Sequence, residues 1–409
     1  MTGIVIIGAG HAGTQAAASL REAGYDGALT LISADGDMPY HKPPLSKSFM
    51  KTEDAPLQPL RGPSYFTDNT IALRLGETVE AIDAGARTLR LASGEVLGYD
   101  KLVLALGTVA RKLTVPGADL DGVVCLRSAE DARAMRGRLG KVASAVVIGG
   151  GFIGLEAAAM LQARGISVSV LEAAPEVRGC AVSPEMAATV RNRLVASGVE
   201  VICNATLDRI EGEDGVAARV VTGDGRRLPA DLVIVGIGAV PVTDLAEAAG
   251  LATENGIAVN AAMQTSHPAI YAIGDCVSFP QAQVGRRLRL ESVQNATDQA
   301  RAVAKALTGA PGSFDAVPWF WSDIGDMKLQ IVGLNHAADR RIIWSSDGAV
   351  RAVFHLRANT LAAVETLNEP GVHMLSRRLI ALGLTPDEAS MARGDLAAMK
   401  QVYAAHASS

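Results

Sequence analysis

Cysteine is scarce in this chain and is not clustered. Among 409 residues there are four cysteines, and no two of them form a CxxC pair. They are Cys125, Cys180, Cys203 and Cys276. A disulfide framework and a zinc site both need closely placed ligands, so this pattern argues against both and predicts four reduced thiols and no metal centre.

The chain also lacks a strong excess of charge of one sign. Its formal net charge is −5 at pH 7. This value argues against binding of nucleic acid or of an anionic membrane by the protein as a whole. The net charge does not exclude a local basic patch, which has to be identified from the positions of the basic residues.

Long apolar runs are missing as well. The longest cover residues 143–155 and 232–242 and are interrupted by glycine. A membrane-spanning helix needs ~18–20 apolar residues, so the sequence predicts no membrane span. The apolar residues 4–7 follow the start of the chain almost at once. They leave no room for a secretory signal, which predicts a cytoplasmic protein.

The chain contains one local pattern twice: an apolar strand, a glycine-rich turn and a helix. Residues 4–7 and 145–148 are the strands, and residues 11–23 and 152–164 are the helices. The turns have GxGxxG spacing, with the glycines Gly8, Gly10 and Gly13 in the first copy and Gly149, Gly151 and Gly154 in the second. At about 100–200 residues per domain, the chain has room for two to four domains.

This spacing has a physical reason in dinucleotide binding. The first glycine makes the tight turn, the second lets the backbone approach a diphosphate, and the third lets the helix pack on the strand. The diphosphate then lies at the helix N-terminus. A single GxGxxG can be no more than a turn, but two copies between strand and helix predict an α/β fold with two Rossmann-type dinucleotide-binding domains.

An acidic residue follows the next strand of the second copy. Glu172 stands eighteen residues after Gly154, where a carboxylate can accept hydrogen bonds from the adenosine ribose and repel a 2′-phosphate. The next arginine is Arg178, so the sequence favours NADH over NADPH; a solvated acid at a strand end is the alternative. In the first copy no acid follows the apolar run directly, and Asp35 is the candidate for the ribose contact.

Further motifs make the chain similar to a known family. They are Pro43-Pro44-Leu45-Ser46-Lys47, Ala105-Leu106-Gly107 with Arg111, Leu126-Arg127, Gly236-Ile237-Gly238, IYAIGD at 270–275, RLESVQNA at 289–296 and PWFWSD at 318–323. Over nearly the whole chain they resemble the oxygenase-coupled NADH-dependent ferredoxin reductases, the putidaredoxin reductase-like members of the glutathione reductase superfamily. The resemblance implies an FAD-binding domain of residues 1–112 and 241–318, an NADH-binding domain of residues 113–240 and a C-terminal α+β domain of residues 319–409.

The residue patterns and the resemblance together give the predicted cofactor contacts. The first glycine turn and its loop predict that Gly8, Gly10, Gly13 and Asp35 bind FAD, and the resemblance implies that Ala12, Lys47, Val79, Arg127, Asp275 and Val293 bind it as well. NADH would be bound by Gly149, Gly151, Gly154, Glu172 and Gly238. Ala34 stands where the family has its first ribose acid, which is a departure from the pattern. Read by themselves, Asp275 is a helix cap and Val79 and Val293 are core residues.

Lys47 and Glu156 are the predicted catalytic residues. Glu156 lies two residues after Gly154, in the first turn of a helix, where the helix dipole favours a carboxylate. The resemblance pairs it with Lys47 beside the isoalloxazine ring of FAD. Without the resemblance, Lys47 is a solvated loop lysine and Glu156 is an acid at a helix start.

Residues 319–399 carry weaker signals. Residues 350–356 and 360–365 predict a strand pair, and residues 372–382 predict an amphipathic helix. By the resemblance, Trp319 and Trp321 lie on the side of the flavin where the electron acceptor docks; ordinary packing is the alternative.

The electron acceptor follows partly from an absence. Transfer of a hydride from NADH to FAD delivers two electrons, and residues 33–50 contain no cysteine that could relay them. The resemblance implies a [2Fe–2S] ferredoxin that supplies an oxygenase, and Val293 matches members that serve haem-thiolate monooxygenases. A rubredoxin or a small molecule such as monodehydroascorbate is the enzymatic alternative. A redox-sensing flavoprotein resembling apoptosis-inducing factor is the alternative of another class, and the acidic net charge and the early first strand count against it.

Arginine clusters predict where an acidic ferredoxin docks. They are Arg286, Arg287 and Arg289, Arg340 and Arg341, and Arg377 and Arg378. If they form one basic rim at the electron exit, they attract an acidic partner in a salt-dependent way. Taken separately, each cluster is an ordinary solvated face.

Overall fold

The computed structural model describes residues 2–177, 181–310 and 313–407. Within them the strands are β1 (Ile4–Ile7), β2 (Leu29–Ser33), β3 (Ile71–Leu75), β4 (Val79–Asp83), β5 (Thr88–Leu91), β6 (Val96–Gly98), β7 (Lys101–Leu104), β8 (Thr108–Ala110), β9 (Val123–Cys125), β10 (Ser144–Ile148), β11 (Ser167–Leu171), β12 (Glu200–Ile202), β13 (Leu207–Glu213), β14 (Val216–Thr222), β15 (Arg227–Pro229), β16 (Leu232–Val235), β17 (Ala239–Pro241), β18 (Ile257–Ala258), β19 (Ile270–Ala272), β20 (Val277–Gln281), β21 (Arg286–Leu288), β22 (Trp319–Ile324), β23 (Met327–Gly333), β24 (Arg340–Ser346), β25 (Ala349–Arg357) and β26 (Thr360–Leu367). The α-helices are α1 (His11–Glu22), α2 (Pro63–Asp68), α3 (Ala129–Arg138), α4 (Phe152–Ala163), α5 (Pro184–Ala196), α6 (Asp244–Ala248), α7 (Val293–Leu307), α8 (Pro370–Ala381), α9 (Glu388–Arg393) and α10 (Leu396–Ala407). Short 3₁₀ turns cover Pro43–Ser46, Ser48–Met50, Leu139–Lys141 and Gly274–Cys276.

These elements group into two compact units. The first contains Met1–His41, Leu57–Val109 and Val240–Pro318. The second contains Lys42–Pro56, Ala110–Ala239 and Trp319–Ser409. The three-domain division stays a prediction; it places Lys42–Pro56 in the first domain, whereas this segment belongs to the second unit.

A five-stranded parallel sheet lies at the centre of the first unit, in the order β19-β7-β1-β2-β3. All residues of β1 are buried, as expected for a parallel strand that is covered on both faces. Helices α1 and α7 pack against each other. The small side chains Ala16, Ala17 and Ala18 of α1 are fully buried, which permits this close packing. A three-stranded antiparallel sheet, β4-β5-β6, follows β3 along the chain.

The second unit repeats this arrangement. Its parallel sheet has the order β12-β11-β10-β16-β9. In it β10, β11, β12 and β16 take the places that β1, β2, β3 and β7 have in the first sheet. The antiparallel sheet β13-β14-β15 likewise corresponds to β4-β5-β6. The fifth strand differs, because β9 precedes the others in the chain whereas β19 follows them.

An antiparallel sheet of the second unit completes the fold. Its strand order is β22-β23-β26-β25-β24. Between β25 and β26 the turn residues Ala358 and Asn359 have φ of +48° and +63°, which is typical of a two-residue hairpin turn. Helix α8 packs on β23 and β26. The predicted strand pair and helix are confirmed, and so is the fold class of two Rossmann-type sheets with a C-terminal α+β part.

No helix in the described ranges is both long enough and apolar enough to cross a membrane. The cytoplasmic location stays a prediction.

Candidate functional site

The first glycine turn joins β1 to α1 and leaves open space at the helix N-terminus. Gly8 has a φ of +103°, and a Cβ there would overlap the carbonyl oxygen of Ala105. A Cβ on Gly13 would overlap the Gly8 carbonyl oxygen. At Gly10, by contrast, no atom of the described residues lies within 4 Å of where a Cβ would stand. The fold itself requires the first and third glycines, whereas the second leaves the backbone accessible, and this arrangement fits a diphosphate at the N-terminus of α1.

Asp275 lies beside the same turn. It belongs to the 3₁₀ turn after β19, and a Cβ on the preceding Gly274 would lie 3.0 Å from the Cβ of Ala12. The Gly274 backbone N donates to Oε1 of Gln299 at 2.7 Å. Gln299 is fully buried in α7. Helix α7 therefore holds the turn that carries Asp275 against the first turn of α1.

Asp35 lies in the loop after β2, and its carboxylate binds groups of that loop. Oδ2 accepts a hydrogen bond from Tyr40 Oη at 3.0 Å, and Oδ1 accepts one from Asp37 N at 3.0 Å. The backbone N of Asp35 donates to Ser33 Oγ at 3.2 Å. The carboxylate is thus oriented within its own loop, and a ribose contact for Asp35 stays a prediction.

The other predicted FAD residues lie on separate elements. Val79 begins β4 and is buried, and Val293 begins α7 and is half-buried. Arg127 precedes α3, where its backbone N donates to Asp131 Oδ2 at 3.0 Å. Its carbonyl oxygen accepts a hydrogen bond from Lys42 Nζ at 3.3 Å. Val79 and Val293 belong to the first unit and Arg127 to the second.

The second glycine turn has the same design as the first. Gly149 has a φ of +100°, and a Cβ there would approach the Gly236 carbonyl oxygen to 2.5 Å. A Cβ on Gly154 would overlap the Gly149 carbonyl oxygen. Gly151 begins α4 as its N-cap, and the nearest atom to its Cβ position is the Gly236 oxygen at 3.5 Å. Gly238 has a φ of +98°, with open space among the described residues at its Cβ position. This turn also fits a diphosphate.

Glu172 is fixed beside the second glycine turn. Its Oε2 accepts a hydrogen bond from Gly150 N at 2.7 Å, and its Oε1 accepts one from Ala174 N at 2.8 Å. Strand β11 pairs with β10 in the register in which β2 pairs with β1, so Ser33 is the counterpart of Glu172 in the first unit. The two copies therefore differ in charge at the position next to the turn. Arg178, the next arginine in the sequence, lies outside the described residues.

Lys47 and Glu156, which the sequence analysis paired, form an ion pair in the second unit. Glu156 is only 6% exposed, and its Oε2 lies 2.9 Å from Lys47 Nζ and accepts a hydrogen bond from Ser46 Oγ at 2.7 Å. Its Oε1 accepts hydrogen bonds from Ser322 Oγ at 2.6 Å and from Asp323 N at 3.3 Å. We call this set of contacts the Glu156 clamp. Four donors converge on this buried carboxylate, and the ion pair holds the Lys47 ammonium in one place.

The sequence analysis missed three side chains that orient these groups. Ser46 and Ser322 stand inside the motifs PPLSK and PWFWSD, so the motifs themselves carried a signal for them. Gln299 is one of three buried polar residues of α7, together with Gln294 and Asn295. A polar stripe on the buried side of a helix indicates hydrogen bonds inside the protein. The sequence does not show which backbone groups are the partners in these hydrogen bonds.

Aromatic side chains occupy both faces of β22. The ring of Phe320 lies 4.2 Å from that of Phe152, which begins α4 next to the second glycine turn. The rings of Trp319 and Trp321 lie 5.6 Å apart. Both tryptophans are partly exposed.

Trp319 is flanked by two residues of α8. The guanidinium of Arg377 lies 4.4 Å above its ring, and the ring of His373 meets it edge-on at 5.9 Å. His373 is buried, and neither of its ring nitrogens has a hydrogen-bond partner among the described residues. Burial lowers the pKa of His373 to about 4, and the charges of Arg377 and Lys328 add to this effect. The imidazole is therefore neutral at pH 7.

The described cysteines are unsuited to redox relay. Cys125, Cys203 and Cys276 are free thiols, and Cys180 lies outside the described residues. Complete burial raises the pKa of Cys276 to about 11. Burial is also the main cause that raises the pKa of Cys125 and of Cys203. Since the thiolate is the reactive form, these shifts disfavour a role of the three side chains in redox relay.

In the first unit the predicted docking arginines are Arg286, Arg287 and Arg289. Nη2 of Arg287 donates to the Val259 carbonyl oxygen at 2.9 Å. Nη1 of Arg289 donates to the Asp275 carbonyl oxygen at 3.2 Å and pairs with Glu291. Two of the three guanidinium groups therefore hold the backbone of their own unit.

In the second unit the predicted docking arginines are Arg340, Arg341, Arg377 and Arg378. The first two have acidic partners, Glu388 at 2.6 Å and Glu185 at 3.3 Å. The other two lie over the rings of Trp319 and Tyr403. Neither forms an ion pair within the described ranges, so no acidic side chain there offsets their charge at the surface.

Comparisons with known proteins agree with this geometry. The pyridine nucleotide-disulphide oxidoreductase family matches residues 2–300, and the reductase C-terminal family matches residues 319–402. The rubredoxin–NAD(+) reductase of Pseudomonas putida is 42% identical over 369 residues, which are 90% of this chain and 96% of that protein.

Solved structures give the same result. The ferredoxin reductase for the CYP199A2 system from Rhodopseudomonas palustris is 40% identical, with a TM-score of 0.95 over 98% of this chain and 100% of that one. The covalent complex of putidaredoxin reductase with putidaredoxin is 36% identical, with a TM-score of 0.94 over 99% of this chain and 98% of that one. The predicted recognition and the predicted cofactors are confirmed. This chain belongs to the pyridine nucleotide-disulphide oxidoreductase family, and it is an FAD- and NADH-dependent oxidoreductase of the group that contains the ferredoxin and rubredoxin reductases.

Proposed function

We propose that this protein transfers electrons from NADH to a small acidic [2Fe–2S] ferredoxin that supplies an oxygenase. The observation that carries the proposal is the lack of a thiol route. Residues 33–50 contain no cysteine, and burial raises the pKa of each of the three described thiols. Electrons then leave by direct transfer to an acceptor that docks on the protein.

FAD is assigned to the first glycine turn, with its diphosphate at the N-terminus of α1. When bound, FAD supplies two-electron chemistry toward NADH and one-electron chemistry toward an iron–sulfur protein. The chain residues assigned to it are Gly8, Gly10, Ala12, Gly13, Asp35, Lys47, Val79, Arg127, Asp275 and Val293. The open space at Gly10 and the contact between Gly274 and Ala12 support this assignment.

NADH is assigned to the second glycine turn. The chain residues assigned to it are Gly149, Gly151, Gly154, Glu172 and Gly238. The Glu172 carboxylate is held next to Gly150 by the hydrogen bond at 2.7 Å, so it is oriented before the nucleotide arrives. A fixed negative charge at this place favours ribose hydroxyls over a 2′-phosphate.

The Glu156 clamp is assigned the catalytic role. Glu156 orients the Lys47 ammonium through the contact at 2.9 Å, and Ser46 and Ser322 orient Glu156. The clamp keeps one positive charge at a fixed place without a rearrangement during the reaction, which is how preorganised groups lower a barrier. Its place beside the isoalloxazine is supported by the family motif around Lys47.

The α8 face is assigned to partner docking. Three exposed residues define this face: Met374, Arg377 and Arg378. Met374 is 59% exposed, and the two arginines have no acidic partner within the described ranges. An apolar side chain among unpaired cations suits an acidic electron carrier, because charge steers the approach and apolar contact holds the docked pair. Arg286, Arg287 and Arg289 of the first unit and Arg340 and Arg341 of the second unit stay candidate docking residues. The internal contacts described above reduce the positive charge that this group can offer to a partner.

The oxygenase is assigned to the haem-thiolate class. Val293 and the likeness to the reductase for the CYP199A2 system support this. Rubredoxin is the second candidate partner, since a relative at 42% identity is named a rubredoxin–NAD(+) reductase.

Steady-state NADH oxidation with different acceptors tests the proposal. We expect fast turnover with a [2Fe–2S] ferredoxin and slow turnover with rubredoxin or monodehydroascorbate. Faster turnover with rubredoxin or with monodehydroascorbate than with the ferredoxin would contradict the proposed acceptor and identify the other one as the acceptor. Slow turnover with every acceptor, including ferricyanide, would favour a redox-sensing flavoprotein and contradict the enzymatic proposal.

Charge variants test the docking face. Arg377→Glu should raise the KM for ferredoxin about tenfold and leave NADH–ferricyanide activity unchanged, because a reversed charge at the contact slows association. Arg340→Glu makes the same change of charge at a candidate residue that Glu388 already pairs with, and it should raise this KM by less than Arg377→Glu does. Equal effects of both variants, or a ferredoxin KM that does not depend on ionic strength, would place docking elsewhere.

A further inference from the structure

A buried carboxylate of the C-terminal sheet binds the start of helix α5. Glu365 on β26 is fully buried. Its Oε1 accepts a hydrogen bond from Ser183 N at 2.8 Å, and its Oε2 accepts one from Ser183 Oγ at 2.6 Å. His355 Nε2 lies 2.8 Å from Oε1, and His355 is also buried. We call these contacts the Glu365 bridge.

The bridge fixes the N-terminus of α5, the helix that follows the loop containing Glu172 in the chain. Ser183 is the N-cap of α5, and its Oγ accepts the Met186 backbone N–H at 3.3 Å while donating to Glu365. Two residues after Ser183, Glu185 pairs with Arg341 of β24 at 3.3 Å. The first turn of α5 is therefore attached to the C-terminal sheet at two points, of which the Glu365 bridge is the buried one.

Helix α5 in turn holds the loop after β11. Arg191 of α5 lies 2.9 Å from the carboxylate of Glu176. The neighbouring Val177 is fully buried, and a Cβ on Gly150 would lie 2.9 Å from Val177 Cγ1 and 3.0 Å from Glu172 Oε2. The side chains of Val177 and Glu172 thus pack directly against Gly150, in the middle of the second glycine turn.

We propose that Glu365 is a positioning residue for NADH. Through Ser183 it fixes α5, and through α5 it fixes the loop of residues 172–177 under the second glycine turn. Glu365 touches neither cofactor nor substrate in this proposal. The inference rests on the assignment of NADH to that turn, which is part of the proposed function.

The chemistry of the bridge explains why a change there should reach the nucleotide. Replacing Glu365 by alanine leaves the hydroxyl of Ser183 and the imidazole of His355 buried without their partner, and such groups move to find another one. Glutamine can keep most of the bridge. Its amide in the place of Oε1 can donate to a His355 tautomer with a free Nε2, and its oxygen in the place of Oε2, which lies 3.0 Å from Ser183 N and 2.6 Å from Ser183 Oγ, can accept from both. The two variants therefore separate loss of the bridge from loss of its charge.

The experiment compares Glu365→Ala, Glu365→Gln and Ser183→Ala in the full-length protein loaded with FAD. The readouts are the Kd for NAD⁺ by titration, the KM for NADH and kcat with ferricyanide, together with the melting temperature. We expect Glu365→Ala to raise Kd and KM about tenfold, a loss of ~1.4 kcal/mol of binding. Ser183→Ala should raise both about threefold, and Glu365→Gln should stay within about twofold of the wild type. All three should keep kcat at saturating NADH within about twofold, because the bridge acts on binding alone.

Two controls separate the outcomes. Asp326→Asn removes the ion pair of Arg193 with Asp326, which joins the other end of α5 to the same sheet at the surface, and should leave Kd and KM unchanged. Glu172→Ala should raise both if NADH binds where we assign it.

An unchanged Kd in Ser183→Ala and Glu365→Ala beside a raised Kd in Glu172→Ala would overturn the bridge proposal and leave the NADH assignment intact. An unchanged Kd in Glu172→Ala would overturn the assignment itself. If Glu365→Ala does not fold, Ser183→Ala decides: a lower melting temperature with wild-type Kd and KM would make the bridge purely structural.

Discussion

Replacing Glu156 by glutamine tests the Glu156 clamp most directly, because glutamine keeps the shape of the side chain and removes its charge. In the wild type, Lys47 Nζ and Ser46 Oγ approach Oε2 at 2.9 Å and 2.7 Å. Ser322 Oγ and Asp323 N approach Oε1 at 2.6 Å and 3.3 Å. The amide NH₂ must take one of these two places. At the first it faces an ammonium and at the second a backbone N–H, so in both a donor meets a donor.

The size of the effect follows from these contacts. A hydrogen bond to a charged group contributes about 1.5–3 kcal/mol, and breaking a buried ion pair costs about 3–5 kcal/mol. Lys47 is 22% exposed, so water compensates part of the loss. We therefore expect Glu156→Gln to lower the free energy of unfolding by about 2–3 kcal/mol. If about 2 kcal/mol of the same interaction orients Lys47 during the reaction, the rate falls by roughly 30-fold.

Anaerobic stopped-flow mixing with saturating NADH measures this rate as the loss of flavin absorbance. Ser46→Ala removes one donor and keeps the ion pair that orients Lys47, so it should slow the reaction by only about threefold, which corresponds to about 0.7 kcal/mol of the barrier. Glu388→Gln breaks an exposed ion pair with Arg340 and should change neither the rate nor the stability measurably.

A Glu156→Gln protein that binds FAD and reacts at the wild-type rate would refute the catalytic role of the clamp. If that protein were also less stable, the clamp would be a structural feature only. A slower rate with unchanged stability would mean that the buried contacts matter less for folding than their geometry implies.

Three further predictions follow from the same structure. The wild type should prefer NADH to NADPH in kcat/KM by at least about tenfold, and Glu172→Ala should reduce this ratio because the fixed carboxylate no longer repels the 2′-phosphate; equal wild-type values for both nucleotides would contradict the assignment of Glu172. Replacing all four cysteines by serine or alanine should leave NADH-dependent dye reduction intact, whereas loss of activity with FAD still bound would restore a thiol mechanism. The pKa of His373 is lowered from 6.5 to about 4 in the folded protein. As the pH falls below 6.5, His373 is therefore protonated in the unfolded chain before it is protonated in the folded one. The contribution of neutral His373 to stability should be fully present above pH 6.5 and decrease as the pH falls toward 4. Urea unfolding at pH 7 and pH 4.5 measures this effect: the decrease in the free energy of unfolding between the two pH values should be about 2–3 kcal/mol smaller in His373→Leu than in the wild type. An equal decrease in the wild type and the variant would exclude His373 as the source of the acid sensitivity.

Much of the fold could be predicted because its signals are local. The GxGxxG turns depend on backbone contacts between glycines five residues apart, such as Gly8 with Gly13, and those contacts need no distant partner. Helix α7 likewise depends on nearby residues, because its side-chain cap Ser292 directly precedes Val293 and one buried face continues toward Leu307. The hairpin between β25 and β26 was likewise predictable, since residue alternation and turn residues lie side by side in the chain.

The register of the strands was not predictable in the same way. Pairing of Ile7 with Ile32 and of Ile148 with Leu171 decides that Ser33 and Glu172 are counterparts. The sequence shows an acid in both loops, but only the paired strands show that Asp35 lies two residues beyond the equivalent place. Its carboxylate accepts hydrogen bonds from Tyr40 and Asp37 of its own loop.

The sequence by itself determined that this chain has two dinucleotide-binding sheets, because glycine spacing and strand patterns act over a few residues, and the resemblance carried by its motifs implied FAD. Tertiary structure alone decided which donors bind the buried carboxylates of Glu156 and Glu365. Ser46 and Ser322 bind Glu156 across separations of 110 and 166 residues, and Ser183 binds Glu365 across 182. No local pattern encodes such partners, because a buried carboxylate is satisfied by whichever donors the folded chain brings within about 3 Å.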